Sequence, residues 1–194
     1  MAKSFQVTSI SSVALLTTAE AKSHLRIESS VTADDTLIDN LIQAARESAE
    51  IFTNRYFITT TITQYGDKWD DLATLFKSLV SSVTDIKYYD NDNSLQTLAT
   101  SVYLSDLAHQ PARIGLKPSQ SFPTLADRIS AIECTYIVGY GTSTAKVPEA
   151  IRQAVLLTVG NLYENRQNVV VGHSVNELPK SAQYLLEQFK VQTC

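Results

Sequence analysis

Cysteine is scarce in this sequence of 194 residues, which contains only Cys134 and Cys194. Cys134 lies in an alternating apolar run and Cys194 is the last residue, so the two make a poor disulfide framework and fit a reducing compartment. Long apolar runs are missing too, since no stretch approaches about eighteen uninterrupted apolar residues, and the first residues lack the pattern of a signal peptide. We therefore expect synthesis in the cytoplasm, with neither export nor membrane insertion.

A surplus of basic charge is absent as well. The chain has 16 Lys and Arg against 20 Asp and Glu, which gives a formal net charge of -4. Proteins that hold nucleic acid neutralise its phosphates with basic side chains, so sequence-specific DNA binding is not predicted. The composition, 44% hydrophobic and 19% charged, is typical of a folded globular protein, and the length suits one domain or one domain with an insertion.

The common catalytic motifs do not occur in the sequence. There is no G-x-S-x-G, no phosphate-binding G-x-x-x-x-G-K-[ST], no H-E-x-x-H and no C-x-x-C. The three histidines, His24, His109 and His173, lack the close spacing of zinc ligands and are interpreted as surface residues. No catalytic residue, cofactor or metal site is predicted, and the protein is not expected to be an enzyme.

Three weaker signals favour structural interpretations. Asp67, Asp70 and Asp71 surround Trp69 but have no nucleophile or metal partner nearby, which favours a solvated loop anchored by the tryptophan. Residues 90–94 resemble the start of a calcium loop but lack its later glycine and glutamate, so a β-turn is predicted. Cys134, on one face of a strand without an adjacent histidine, is expected to be buried and unreactive.

The strongest helix signals lie between Val147 and Gln167. Pro148 and Glu149 suit the first turn of a helix, because the first turn needs no proline N–H and its dipole favours an acid. Gly160, inside the run, suggests that another helix crosses closely there. The apolar side chains fall at helical spacing and predict a largely buried helix: Ala150, Ile151, Ala154, Val155, Leu157, Leu162 and Tyr163.

Two helices are predicted near the N-terminus. Thr17 and Glu20 have the spacing of a capping box, which predicts a helix over residues 18–25. After a polar break, Asp34-Asp35 marks the start of a second helix that reaches about Asn54. Its amphipathic stripe is formed by Leu37, Ile38, Leu41, Ile42, Ala45, Ala49 and Phe52, which we expect to pack against the central helix.

The middle third of the chain is rich in β-branched and aromatic residues separated by turn residues, which indicates antiparallel strands. The predicted strands cover residues 57–65, 83–89, 94–98, 102–104, 113–116 and 129–140. The fold class is therefore predicted as α+β. Residues 1–56 and 142–194 are expected to form an antiparallel helical core with a C-terminal tail, and residues 57–141 an inserted antiparallel β module.

The tail contains a last short helix, predicted over residues 180–190. Its apolar face and a preceding run of valines have no obvious place in the core, so we predict that they bind a partner by laying a helix in a groove. The alternative is that this helix packs on its own domain, which demands the same spacing. The predicted partner-binding residues are Val169, Val170, Val171, Leu185, Leu186 and Phe189.

Several segments, taken in order, resemble the head-tail connector (adaptor) proteins of tailed DNA bacteriophages, in particular the longer members with a β insertion. The segments that carry the resemblance are residues 16–27 (LTTAEAKSHLRI), Asp34-Asp35, Gly139-Tyr140-Gly141, residues 147–154 (VPEAIRQA) and Tyr163-Glu164-Asn165-Arg166. The resemblance spans nearly the whole chain, and the residues after Gly172 depart most from the family pattern.

The resemblance implies a structural virion protein of the phage neck. Such subunits assemble as a homo-oligomeric ring under the portal protein, typically of twelve copies, although an isolated subunit can be monomeric. The ring extends the DNA channel and provides the docking surface for the next neck or tail-completion protein. DNA would pass through without sequence-specific binding, no membrane would be involved, and assembly would take place in the host bacterial cytoplasm.

Other functions compete with this one. Within the virion, the chain could be another neck or tail-completion protein. From a different class, it could be a small hydrolase that uses Asp67, Asp70 or Asp71, or a monomeric ligand-binding module that uses the β insertion.

Overall fold

The computed structural model describes residues 4–165 and 178–191. Within them the chain forms four α-helices and seven strands, together with two short 3₁₀ turns at Trp69–Leu72 and Thr144–Lys146. In chain order the elements are β1 (Ser4–Ile10), α1 (Thr18–Leu25), α2 (Asp35–Thr53), β2 (Thr60–Gly66), β3 (Val80–Tyr89), β4 (Leu95–Thr97), β5 (Tyr103–Asp106), β6 (Arg113–Leu116), β7 (Ile132–Val138), α3 (Glu149–Glu164) and α4 (Lys180–Glu187). The predicted α+β class is confirmed.

The chain divides into two compact units. The sheet unit comprises Met1–Ser11 and Ile58–Thr142, and the helical unit comprises Ser12–Phe57 and Ser143–Cys194. The sequence pattern places residues 1–56 with the helices, whereas Ser4–Ile10 forms β1 and pairs with β2 in antiparallel fashion. The first strand therefore belongs to the sheet unit. The independence of the β insertion as a folding module remains a prediction.

The main sheet has five antiparallel strands in the order β1-β2-β7-β3-β4, and β5 and β6 form a separate two-stranded sheet. Buried and half-buried residues alternate along β7, which is the pattern of a sheet with one covered face. The register sets Ile62 opposite Tyr136 and Gln64 opposite Cys134, so these four buried side chains share that face.

A buried glutamine organises the loop that follows β2. The side chain of Gln64 is fully buried, and its Nε2 donates to the backbone carbonyls of Asp71 (3.1 Å) and Thr74 (3.3 Å). Its Oε1 accepts from the backbone N–H of Phe76 (2.8 Å) and from the hydroxyl of Tyr136 (3.3 Å). The amide thus uses two donors and two acceptors, as a buried polar group requires.

One end of the sheet is closed by backbone contacts that require glycine. Gly139 has φ of 106°, and a Cβ on it would lie 2.3 Å from the carbonyl oxygen of Ile58. Beside it, the N–H of Thr59 donates to Gly141 O (3.2 Å), and the N–H of Ser11 donates to Thr59 O (2.9 Å). Close approach of three backbone segments therefore fixes this end of the unit.

The predicted capping box begins α1. The Thr17 hydroxyl accepts from the backbone N–H of Glu20 at 3.2 Å, and the Glu20 carboxylate accepts from the backbone N–H of Thr17 at 2.7 Å. The same carboxylate forms an ion pair with Arg152 at the start of α3. The capping residues thus tie α1 to α3 as well as starting the helix.

The helical unit is built around α3, which contacts α1, α2 and α4. A Cβ on Gly160 would lie 3.4 Å from Nε2 of His24 on α1, so the predicted close crossing of another helix is here a side-chain contact at ordinary van der Waals distance. Helices α2, α3 and α4 contribute buried apolar side chains to the core of this unit. These are Ile38, Ile42, Ala45 and Ala49 on α2, Ile151, Ala154, Val155 and Val159 on α3, and Ala182 and Leu186 on α4. Leu41, Phe52 and Leu162 lie at the edge of this core and are partly exposed.

The charge of Glu20 predicts a pH dependence. The hydrogen bond from the backbone N–H of Thr17 is the main cause that lowers the pKa of Glu20 below its ordinary value of 4.5. Partial burial acts in the opposite direction and raises the pKa, whereas the Thr17 hydroxyl and Arg152 lower it further. A carboxyl group whose pKa is lowered by folding stabilises the folded state at pH values above its ordinary pKa. This stability is lost as the pH falls through the folded-state pKa.

We therefore expect Glu20→Gln to reduce the free energy of unfolding at neutral pH by less than about 1 kcal/mol, because the Glu20 side chain is 40% exposed and solvent screens its interactions. The difference in free energy of unfolding between the variant and the parent should vanish at a pH well below the ordinary pKa of Glu20. Urea titrations at neutral and acid pH measure both, with Glu28→Gln, an exposed loop position, as the control. A difference that grows in acid would contradict the assignment.

Candidate interaction surfaces

The structure places the predicted partner-binding helix against its own unit. Ala182 and Leu186 on α4 are fully buried, while Leu185 and Phe189 are half-buried. Val169, Val170 and Val171 lie outside the described residues. Leu186 is therefore unavailable to a partner while α4 packs on α3, and only two of the described predicted anchors retain exposed surface.

The end of α4 is also attached to α2. The backbone N–H of Val191 donates to the carbonyl of Thr53 at 3.0 Å. The ammonium group of Lys190 lies 4.8 Å from the centre of the Phe52 ring, within the range of a cation–π contact. These contacts explain why an amphipathic helix without an obvious place in the core pattern nevertheless packs on its own domain.

Two other apolar side chains of the helical unit are much more exposed than the predicted anchors. Ile51 on α2 is 80% exposed and Tyr184 on α4 is 82% exposed. Ile51 follows the buried Ala49 by two residues, a rotation of about 200° around an α-helix, so it points away from the core. Tyr184 has the same relation to Ala182. The helical spacing of the sequence places both residues on the outward faces of their helices. They are missed when only the apolar stripe of each helix is considered.

Few exposed charged side chains lie on α2 and α4. The exposed charged residues of α2 are Asp39 and Glu47; its only basic residue, Arg46, has a side chain only 12% exposed and lies 3.9 Å from the Glu50 carboxylate. On α4 and the residues that follow, the exposed charged residues are Lys180, Glu187 and Lys190. Asp39 accepts from the Thr18 hydroxyl on α1, and Lys190 is turned toward Phe52 on α2. By helical spacing, Glu47 is therefore the exposed charge nearest Ile51, and Lys180 and Glu187 are those nearest Tyr184.

Two of the three acidic residues considered for hydrolysis accept hydrogen bonds from backbone N–H groups. Oδ1 of Asp67 accepts from the N–H of Ser130 at 2.7 Å. Oδ2 of Asp71 accepts from the N–H groups of Asp67 (2.9 Å) and Lys68 (3.0 Å). Asp70 is exposed beside them. Two of the three carboxylates thus hold turns, which is the arrangement expected of a structural loop.

Trp69 anchors this loop, as predicted. Its ring stacks on Phe122 with centroids 4.4 Å apart and planes 7° apart, and its Nε1–H donates to the carbonyl of Pro123 at 2.9 Å. The centre of the Tyr88 ring lies 5.7 Å from that of the Trp69 ring. Nothing in the sequence pattern pairs Phe122 and Pro123 with a tryptophan some fifty positions earlier.

The calcium-like run is a turn. Oδ1 of Asp90 accepts from the N–H groups of Asp92 and Ser94, both at 3.0 Å, and closes the connection between β3 and β4. Among residues 4–165 and 178–191, no group of three or more His, Cys, Asp or Glu side chains is placed to hold a metal ion. His173 lies outside these residues.

Cys134 is fully buried in β7, as predicted. Burial is the main cause that raises the pKa of its thiol to about 12, and the negative charge of Asp85 adds to it. Because the thiolate is the reactive form, the thiol should be inert at neutral pH.

We expect a Cys194→Ser variant to leave Ellman's reagent unreacted at pH near 8 while folded, since burial and the raised pKa both suppress thiolate at Cys134. One thiol should appear after denaturation in guanidinium chloride. Rapid labelling of the folded variant would show that the strand opens readily or that the thiol is accessible.

None of the described helices is long and apolar enough to cross a bilayer.

The fold recurs in solved structures of gene transfer agent (GTA) particles. A chain in the neck of an empty GTA particle, computed with C6 symmetry, superposes with a TM-score of 0.78 at 21% identity over 98% of this chain and 97% of that one. A chain of the native GTA virion superposes with a TM-score of 0.78 at 19% identity, over 98% of this chain and 96% of that one. A chain in the neck of the native GTA particle, computed with C12 symmetry, superposes with a TM-score of 0.75 at 21% identity, over 100% of this chain and 97% of that one.

These similarities define the fold, an α+β architecture shared with chains of GTA particles. Residues 16–117, more than half of the chain, match the family model of phage gp6-like head-tail connector proteins, and the chain belongs to that family. It is therefore a structural connector protein of the phage neck, as the sequence resemblance implies. No curated protein matches the sequence significantly.

Proposed function

We propose that the protein assembles as a ring, of twelve copies in the virion, beneath the portal protein. The ring extends the DNA channel and presents a docking surface to the next neck or tail-completion protein. The observation that carries this proposal is the agreement of fold over nearly the whole chain, at a TM-score of 0.78, with a chain in a particle neck. The C6 and C12 symmetries of the related necks favour a closed ring.

The charge of the chain supports passage of DNA without retention. The formal net charge is -4, and the outward face of α2 has acidic but no basic exposed side chains. A basic channel would hold DNA by release of counterions, whereas an acidic or neutral one does not. Assembly takes place in the host bacterial cytoplasm, and the mature location is the neck of the virion.

The portal contact is proposed to involve the tail, with Leu185 and Phe189 as its exposed apolar part and residues 169–171 as the preceding segment. Leu186 would contribute only if α4 left α3, because it is fully buried. Truncation of the tail would also remove core residues, so a triple change of Val169, Val170 and Val171 to serine tests portal binding better. Unchanged affinity for the portal would remove this segment from the contact.

The ring itself is tested by mixing the purified protein with its cognate portal and imaging the complex by electron microscopy. We expect rings of this protein at one end of the portal, and none on the portal alone. A monomer in solution is compatible with the proposal, since a ring can require the portal as template. Absence of any density for the protein on the portal would contradict it.

A further inference from the structure

We propose that an extended segment of the next neck or tail-completion protein adds to β1 as a sixth strand of the main sheet. The inference rests on the proposed ring and names the surface that the ring offers to that protein. A partner segment binds a sheet edge through main-chain hydrogen bonds, and its side chains at alternate positions set the specificity.

Among residues 4–165 and 178–191, β1 is the longest strand with an open edge. It pairs with β2 on one side, and no described residue bonds to the backbone on its other side. Its sequence, SFQVTSI, contains no proline and no charged side chain. The register shifts between Val7 and Ser9, so the regular part of the edge is the stretch before this shift. An uncharged edge of this kind pairs readily with another strand.

The other edges of the sheet unit are protected against pairing. The opposite edge of the main sheet, β4, is three residues long. The strands β5 and β6 have four residues each, and an ion pair between Arg113 and Asp106 (2.7 Å) joins them. Short strands and charged side chains are the usual means by which proteins prevent edge pairing. The long edge at β1 lacks both.

The backbone groups that β1 presents outward follow from the pattern of the ladder. The N–H of Tyr89 donates to the carbonyl of Ala131, so Tyr89 and the alternate residues of β3 before it bond toward β7. Bonded residues alternate along an antiparallel strand. Followed through the paired residues of β7 and β2, this alternation directs the backbone of Gln6 to β2 and the backbones of Phe5 and Val7 outward.

The side chains beside this edge define the kind of segment that fits. Phe5 and Val7 lie opposite Gln64 and Ile62, on the covered face of the sheet, and both are half-buried. Phe5 also stacks on the half-buried Phe76, with ring centres 5.0 Å apart. The residues between them are polar and lie on the other face. An added strand with alternating apolar and polar side chains would therefore extend both faces.

A second copy of this chain does not supply the added strand. Five steps of about 20–25° turn the direction of a sixth strand about 100–125° from that of β1. Neighbours in a ring of twelve copies differ by a rotation of only about 30°, so β1 of a neighbour cannot continue the sheet at β4. Pairing of β1 with β1 needs a two-fold axis, which does not relate neighbours in such a ring.

Of the two other partners of the proposed ring, the next neck protein is the one left for this edge. The portal contact is proposed at the tail, which belongs to the helical unit. β1 belongs to the sheet unit. We therefore assign the open edge to the protein that docks after the ring has formed.

A proline at an outward-facing position tests strand addition. Val7→Pro removes an outward N–H and keeps the bonds from β1 to β2, and proline is accepted on edge strands where its N–H would face solvent. Val7→Ala is the matched control, because it shortens the same side chain and keeps the N–H. Rings of each variant are assembled on the cognate portal and titrated with the purified next neck protein.

We expect Val7→Pro to weaken binding at least about tenfold, because a main-chain bond is lost and its acceptor stays unpaired, and Val7→Ala to stay within about threefold of the parent. Both variants should melt as cooperatively as the parent. Equal weakening by both variants would assign the contact to the side chain of Val7. That result, or parent-like binding by Val7→Pro, overturns strand addition and leaves the ring proposal standing.

Hydrogen exchange on the unsubstituted protein, measured by mass spectrometry, decides the case in which Val7→Pro does not fold. The outward amides of β1 should exchange rapidly in rings on the portal and at least about tenfold more slowly once the next neck protein is added. Rapid exchange in both samples overturns the proposal, and so does protection that is present before that protein is added. A parent protein that forms no ring on the portal contradicts the proposed function itself.

Discussion

Replacement of Gly139 by alanine is expected to lower the free energy of unfolding of the sheet unit by about 4 kcal/mol, in the range of severe single substitutions. A residue with φ of 106° is strained when it has a side chain. The new Cβ would also lie 2.3 Å from the carbonyl oxygen of Ile58 and 2.7 Å from its carbon. Both are backbone atoms, so the clash cannot be relieved by moving a flexible side chain.

The measurement is a denaturant titration followed by tryptophan fluorescence, because the only tryptophan of the chain, Trp69, lies in the sheet unit. Gly115→Ala is the matched control in the same unit, since a Cβ there would meet nothing within 4 Å. We expect the control to be neutral or slightly stabilising. Equal effects of the two substitutions would show that the close approach at Gly139 does not limit stability.

Ile151→Ala is expected to destabilise the helical unit by about 2–5 kcal/mol, as large-to-small changes in a core do. Ile151 is fully buried on α3, the helix that contacts the other three. Loss of its side chain removes apolar burial and leaves a cavity that the neighbouring helices can fill only in part. Ile51→Ala makes the same chemical change at 80% exposure and should cost less than about 0.5 kcal/mol.

Far-UV circular dichroism during denaturant titration reports on the helices and measures this difference. Comparison with the Trp69 fluorescence of the same samples tests whether the two units unfold independently, as the predicted β insertion requires. If Ile151→Ala shifts the dichroism transition and leaves the fluorescence transition in place, the units are separable. Coincident shifts would show one cooperative structure. An Ile51→Ala variant as unstable as Ile151→Ala would contradict the burial of the α3 face.

Helices were predicted best where the signal is local. The capping box of Thr17 and Glu20 fixes the start of α1 at Thr18, and the predicted end at Leu25 is also observed. For α2 the predicted end at Asn54 agrees with a left-handed residue there that closes the helix. Each of these boundaries depends on residues within one or two turns, which the sequence presents side by side.

Features that depend on distant residues were not predictable in the same way. β1 is not among the predicted strands, because its place in the sheet depends on pairing with β2 some fifty residues later. Gln64 can be buried because Asp71, Phe76 and Tyr136 supply hydrogen-bond partners for its side chain. A glutamine in the sequence does not by itself indicate such partners.

The candidate interaction surface shows a related limit. The spacing of Leu185, Leu186 and Phe189 indicates an apolar face but does not tell whether that face meets a partner or its own core. The structure answers this for Leu186, which is buried. The outward positions of Ile51 and Tyr184 follow from the same periodicity, yet they gain meaning only once the buried face of each helix is known.

The division of each unit into two separate stretches of chain has a consequence during translation. Residues 54–148 are synthesised between α2 and α3, and at about 5–20 residues per second the ribosome needs roughly 5–20 s to make them. For that interval the apolar stripe of α2 has no α3 to cover it. A nascent chain stalled before residue 149 should therefore bind a chaperone such as trigger factor, and one extended beyond α3 should release it.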